Sequence, residues 1–174
     1  MPARYHPVLV TLHWLIALLL LMALIAGTLV LDDMPNTAPG KTDALRIHAI
    51  MGVGIGVLML IRLAVRLTTR HPAPAKSGIA LADRLAPLAH WALYALVLGM
   101  VGSGIAMAVQ SGLGDALFGD GTLPETFHTL FARGVHGLLA TLLILTIALH
   151  ILAALYHVSV RRDGLLRRMW FGAR

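Results

Sequence analysis

The sequence has no cysteine and little charge. Without thiols there can be no disulfide, no iron–sulfur ligation and no C-x-x-C-H attachment of a covalent c-type haem. Charged residues make up 13% of the 174 residues and hydrophobic ones 58%, where soluble domains run at about 25% and roughly 45–50%. With a mean hydropathy of +0.81, both departures point to lipid as the solvent. Acidic residues are scarce as well, eight against fourteen basic, for a net charge of +6 and a pI near 10.8. Such a balance would suit a nucleic-acid binder. The basic residues instead sit where membrane topology wants them, so no nucleic-acid partner is expected.

What is present is long hydrophobic runs. A spanning helix needs about 20 mostly apolar residues, and four segments qualify, roughly 8–31, 45–67, 85–109 and 131–157. The expectation is one all-α domain over residues 1–174, an integral membrane four-helix bundle whose partner is membrane lipid. The first run is longer than the apolar stretch of a signal peptide and lacks a clear small-residue cleavage site, so it reads as a retained span. Asp32, Asp33 and Pro35 should end the first helix, and Pro72 and Pro74 punctuate the chain after the second. A soluble bundle would need polar outer faces, which residues 15–27 and 138–149 do not offer. Eleven basic residues fall on one side: Arg4, the second loop with its flanks, and the tail. Only Lys41, Arg46 and Arg133 fall on the other, which places both termini in the cytoplasm. Tyr5, Trp14, Trp91, Tyr94, Tyr156 and Trp170 read as interfacial anchors.

Of nine histidines, six lie in or at the ends of spans, where an ionisable residue is costly and points to function. His136 and His150 share a helix. Fourteen residues separate them by about 21 Å along the axis and leave them within roughly 40° of one face. One helix thus offers two imidazoles, one near each membrane surface, as two haems stacked across a bilayer would need. Two interhelical hydrogen-bonding histidines would have the same spacing. By depth, His13 should meet His150, and His48 should meet His136. Two imidazoles on one haem iron leave no open position there, which favours electron transfer over oxygen activation. Gly27, fourteen residues after His13, and Gly52, one turn after His48, would leave room for a macrocycle; close helix packing would also explain them. Arg62 and Arg66 suit inner propionates or lipid snorkelling. Arg46 and Arg133 suit outer propionates or interfacial charge. His90 and His157 compete as ligands. His6, His71 and His128 lie outside the spans and are assigned no cofactor role.

These residues resemble those of the bacterial cytochrome b561 family, four-helix, di-haem, quinone-linked proteins. The matching features are Arg4-Tyr5-His6-Pro7 leading into Leu12-His13-Trp14, Arg46-Ile47-His48 followed by Gly52 and then Arg62 and Arg66, Ala89-His90, and His136-Gly137 with His150 and the basic tail. The b-type subunits of membrane hydrogenases and formate dehydrogenases are related but generally longer. The resemblance implies a multi-pass protein of the bacterial inner membrane that holds two haem b groups on His13, His48, His136 and His150 and exchanges electrons with ubiquinone, as acceptor or donor. It also implies superoxide oxidation to dioxygen at the periplasmic side. There six acidic residues outnumber the three basic ones, so guidance of an anion would rest on Lys41, Arg46 and Arg133 brought together by the bundle. The alternative is an electron-transfer subunit relaying from a redox partner protein, with residues 110–130 as the docking surface. A non-redox transporter would require the four matched histidines to bind no haem. His90, Arg62, Arg66 and His157 stand at a depth that suits an inner quinone site.

Overall fold

The computed structural model describes residues 3–172, and every regular element among them is helical. Helix α1 runs Pro7–Ala26. Proline at the first helical position lacks an N–H that the helix could not have used, and the His6 imidazole accepts the free Val8 N–H at 3.3 Å. The helix continues as a π-helical turn, Gly27–Leu31. Helix α2 is Lys41–Thr68, α3 is Ala80–Ser111, α4 is Leu113–Phe118, and α5 is Phe131–Tyr156. A second π turn, His157–Arg161, extends α5, and a 3₁₀ turn, Leu165–Met169, follows.

The four long helical segments measure 25, 28, 32 and 31 residues, enough to cross a bilayer, and no more than 17% of each apolar window is buried. Large aliphatic side chains therefore point outward all round: Leu18, Val109 and Leu149 are 59%, 78% and 68% exposed. In water this surface would aggregate. In lipid it is the solvated face, with the backbone polar groups of the spans paired inside helices. The chain is a multi-pass membrane protein, as its composition required.

Two helices begin earlier than the hydrophobic pattern indicated. Helix α2 starts at Lys41 after Gly40, whose φ of 81° lies in the left-handed region glycine adopts freely. The start of α3 at Ala80 is held by Asp83, whose carboxylate accepts the Ser77 backbone N–H and hydroxyl, each at 2.7 Å. Proline 87 is therefore interior to α3, where its missing N–H leaves the Asp83 carbonyl without its helical donor. Helix α4 was not expected at all. Its Leu113, Ala116 and Leu117 are buried against Leu45, Ala49, Ala108 and Phe127. That i, i+3, i+4 spacing inside a Gly-rich loop was the signal for it.

Helix α1 packs on α2, α2 on α3, and α3 on α5. The core between them is built from Leu12, Ile16, Ile55, Met59, Val97 and Leu143. A Cβ at Gly56 would stand 3.0 Å from the Val101 side chain, so here the glycine serves close helix approach. Among the long helices α5 packs closely on α3 alone. Between α5 and the α1–α2 pair the backbones stand apart, leaving a seam.

At one end of the bundle the N-terminal segment, the loop after α2 and the tail interlock. The Tyr5 N–H donates to the Arg168 carbonyl at 3.1 Å, and Trp14 Nε1 to the Met169 carbonyl at 2.9 Å. Arg4 donates to the Phe171 carbonyl at 2.5 Å, and Arg168 to the Ala73 carbonyl at 2.7 Å. The His157 ring bonds Asp163 at 2.6 Å, and that hydrogen bond holds the Asp163 carboxyl below the usual carboxylate range.

Candidate functional site

Histidines line the seam from both sides. His13 on α1 faces His150 on α5 with ring centroids 6.3 Å apart. His48 on α2 faces His136 on α5 at 6.5 Å. Each pairing is the one that helix direction and depth predicted. The first lies toward the end bearing both terminal segments, the second toward the opposite end. Two imidazoles on opposite sides of one metal, each at the first-row metal–nitrogen distance of about 2.0–2.1 Å, put their centroids roughly 6 Å apart. Both observed separations fit that span. The rings of neither pair hydrogen-bond to each other among the described residues; of the interhelical hydrogen bonds that would also explain the spacing, His136 makes one, to Ser103 on α3, and His150 makes none. No group of three or more His, Cys, Asp or Glu among those residues forms a ligand cage for a bare ion.

Two further observations fit a haem between the rings. All four imidazoles are only half-buried although they lie inside the spans, so they border open space. His48 Nδ1 is buried without a hydrogen-bond partner among the protein atoms. A Cβ built on Gly27 would meet His48 Cε1 at 3.3 Å, while one on Gly52 would meet nothing within 4 Å. Gly27 thus makes room for the imidazole itself, and Gly52 borders the free space beside it.

His90 joins the first pair, its ring 5.5 Å from that of His150, with Nδ1 on the Ala86 carbonyl at 2.8 Å. His157 does not join. It is buried at the tail on Asp163. Arg62 reaches inward rather than to the surface, donating to the Leu9 carbonyl at 2.6 Å, which leaves further N–H groups for another acceptor. Arg66 lies 5.7 Å from the Trp91 ring centroid. Tyr94, expected as an interfacial anchor, is instead 6% exposed in the core with an unpartnered hydroxyl. Its place on α3, one turn beyond His90, turns it inward; aromatic type alone could not reveal that.

At the opposite end the three cations are all engaged. Arg46 Nε donates to the Leu117 carbonyl of α4 at 2.6 Å, and its guanidinium meets Asp43 at 2.5 Å. Arg133 pairs with Asp32. Lys41 is 4% exposed, its ammonium bonded to the Leu31 and Met34 carbonyls at 2.5 and 2.6 Å. It caps the Leu31 carbonyl at the end of the first span and the Met34 carbonyl of the turn beyond it. What Lys41 offers an outer anion is positive potential and not a contact. Lys41→Met should lower thermal stability by about 1–3 kcal/mol, the cost of unsatisfied buried acceptors, and leave the bound cofactor unchanged. Thermal unfolding followed alongside the visible spectrum checks this.

Comparison with known proteins agrees with the geometry. The family model described as "Prokaryotic cytochrome b561" matches residues 4–172. A protein named "Probable superoxide oxidase CybB" from Yersinia pestis is 30% identical, over 97% of this chain and 97% of its own. "Cytochrome b562" of Cereibacter sphaeroides is 28% identical over 95% and 94%. "Cytochrome b561 homolog 2" of Escherichia coli is 25% identical over 97% and 92%. Such a family implies haem b, for which the opposed imidazoles are chemically suited. Seam, histidines and relatives agree: the chain belongs to the prokaryotic cytochrome b561 family of membrane electron-transfer proteins.

Proposed function

We propose that this protein is a di-haem electron carrier of the bacterial inner membrane, moving electrons between the periplasmic side and ubiquinone. The reading rests on the two opposed imidazole pairs, 6.3 and 6.5 Å between centroids, across a seam the backbones leave open. His13 and His150 would hold one haem toward the termini, and His48 and His136 the other at the far end. Both termini are cytoplasmic by the uneven distribution of basic residues. Haem b, when bound, supplies one-electron iron chemistry. The remaining work belongs to the chain. Its imidazoles would hold the iron, Arg62 and Arg66 would offer cations to inner propionates, and Arg46 and Arg133 to outer ones.

The outer donor on this reading is superoxide, which the name of the Yersinia pestis relative supports. Two superoxide anions each give up one electron and leave as dioxygen; one ubiquinone takes up two electrons and two protons. Lys41, Arg46 and Arg133 supply the positive potential that draws the anion. The test is stopped-flow mixing of the purified oxidised protein with superoxide and no partner. Rapid haem reduction is expected, slowing with ionic strength.

A second reading is favoured by the state of those same cations. Asp32 and Asp43 neutralise Arg133 and Arg46, and beside them Phe118 and Phe131 are 67% and 82% exposed. A redox partner docking on residues 110–130 would suit such a surface. No haem reduction by superoxide, with reduction by a donor protein, would favour this relay.

A further inference from the structure

One imidazole of the four is gripped by a side chain of another helix. Ser103 on α3 is 8% exposed. Its Oγ lies 2.9 Å from His136 Nδ1 and 2.9 Å from the Met100 carbonyl. The hydroxyl has a single proton, and the Met100 carbonyl, an acceptor with no proton of its own, takes it. With that proton donated to the Met100 carbonyl, the oxygen accepts toward His136, the arrangement in which Nδ1 carries the ring proton and Nε2 keeps its lone pair. The neighbouring Gly104 faces the same ring: a Cβ there would make an ordinary van der Waals contact with His136 Cε1 at 3.5 Å. The partner ring has no such hold, since His48 Nδ1 has no hydrogen-bond partner.

We propose that Ser103 is a positioning residue for the outer cofactor. It selects the His136 tautomer whose Nε2 faces the seam, and it tunes the electron-donating strength of that nitrogen. The inference rests on the axial reading of His136 given above. A histidine ligand whose other N–H is bonded to an acceptor is fixed in orientation and made more basic. A more basic ligand stabilises the oxidised metal, so the Ser103 contact lowers the potential of the outer haem relative to one lacking it. The two haems would thereby differ, the outer ligand pair being held on one side only.

The experiment is a potentiometric titration of both haems in the purified wild-type, Ser103→Ala and Ser103→Thr proteins, with low-temperature EPR of the ferric state. Ser103→Ala should raise the midpoint of one haem and shift its EPR signal while the other stays in place. Ser103→Thr, which keeps the hydroxyl, should restore both. A purely packing role predicts the opposite ranking, because Ala fits where the larger Thr crowds. Unchanged midpoints in Ser103→Ala, or equal shifts of both haems, would overturn the proposal. If Ser103→Ala loses the outer haem, Ser103→Cys decides: a midpoint equal to wild type refutes the tuning, and a raised one supports it, because a thiol is the weaker acceptor. Haem content of His136→Ala separates this inference from its foundation. Retention of both haems there sinks the axial reading and this proposal with it. Loss of one haem there, with unaltered midpoints in Ser103→Ala, sinks the proposal alone.

Discussion

Replacing His136 by Ala should remove one of the two haems proposed for this chain, and His150→Ala should remove the other. Pyridine haemochrome quantitation against protein concentration measures both. The two residues lie about 21 Å apart on one helix, and each faces a different partner helix. Sites so separated act independently, so the double variant should be colourless. The fold should survive, because the imidazoles border the seam while the buried Leu143 holds α5 in the core. One complication is built in. His90 stands 5.5 Å from His150 with its Nδ1 occupied by a backbone carbonyl, leaving Nε2 to substitute. A haem retained in His150→Ala but lost in the His90→Ala, His150→Ala double variant would identify His90 as the stand-in. Two haems retained in His136→Ala would defeat the axial assignment.

The second large effect is expected at two glycines that differ in kind. At Gly27 a Cβ would already press His48 Cε1 at 3.3 Å. Gly27→Ala asks the ring to yield by a few tenths of an ångström. Gly27→Val adds branches that a β-branched side chain cannot swing away in a helix, and should displace His48 and remove the outer haem. At Gly52 nothing stands within 4 Å of the added carbon, so the protein alone accepts a side chain there. Gly52→Leu should therefore fold normally and still lose the outer haem, which on the proposed reading occupies that space. A Gly52→Leu protein with both haems would mean that Gly52 faces lipid. Absorbance spectra and haem content of the three variants, with thermal unfolding as the folding control, decide between these outcomes.

Much of this architecture was legible because lipid makes simple demands. Span number, approximate boundaries and the pairing of histidines follow from hydrophobic length, helix rise and alternating direction. The expected starts of α2 and α3 fall late because Lys41 and Asp43 in one, and Asp83 and Arg84 in the other, interrupt the apolar pattern near the helix start. Helix α4 escaped because its single i, i+3, i+4 set, within six residues, is too short to stand out against the surrounding glycines. The inward turn of Tyr94 and the grip of Ser103 on His136 depend on which face of α3 meets which helix. A nearly uniform apolar α3 does not encode that in its own pattern. The cations at the outer end illustrate the same limit. Their positions were evident, but whether Lys41 would lie open or be drawn down onto the Leu31 and Met34 carbonyls depended on how the first loop folds back.

The interlocked end of the bundle has a consequence for biosynthesis. Arg4, Tyr5 and Trp14 are fastened by carbonyls of residues 168–171. A ribosome makes the first span long before those carbonyls exist. The foot of α1 must therefore wait, unlatched, until the fourth span has entered the membrane. The seam between α1 and α5 can form only once the fourth span is in place, and the tail is the clasp that shuts last.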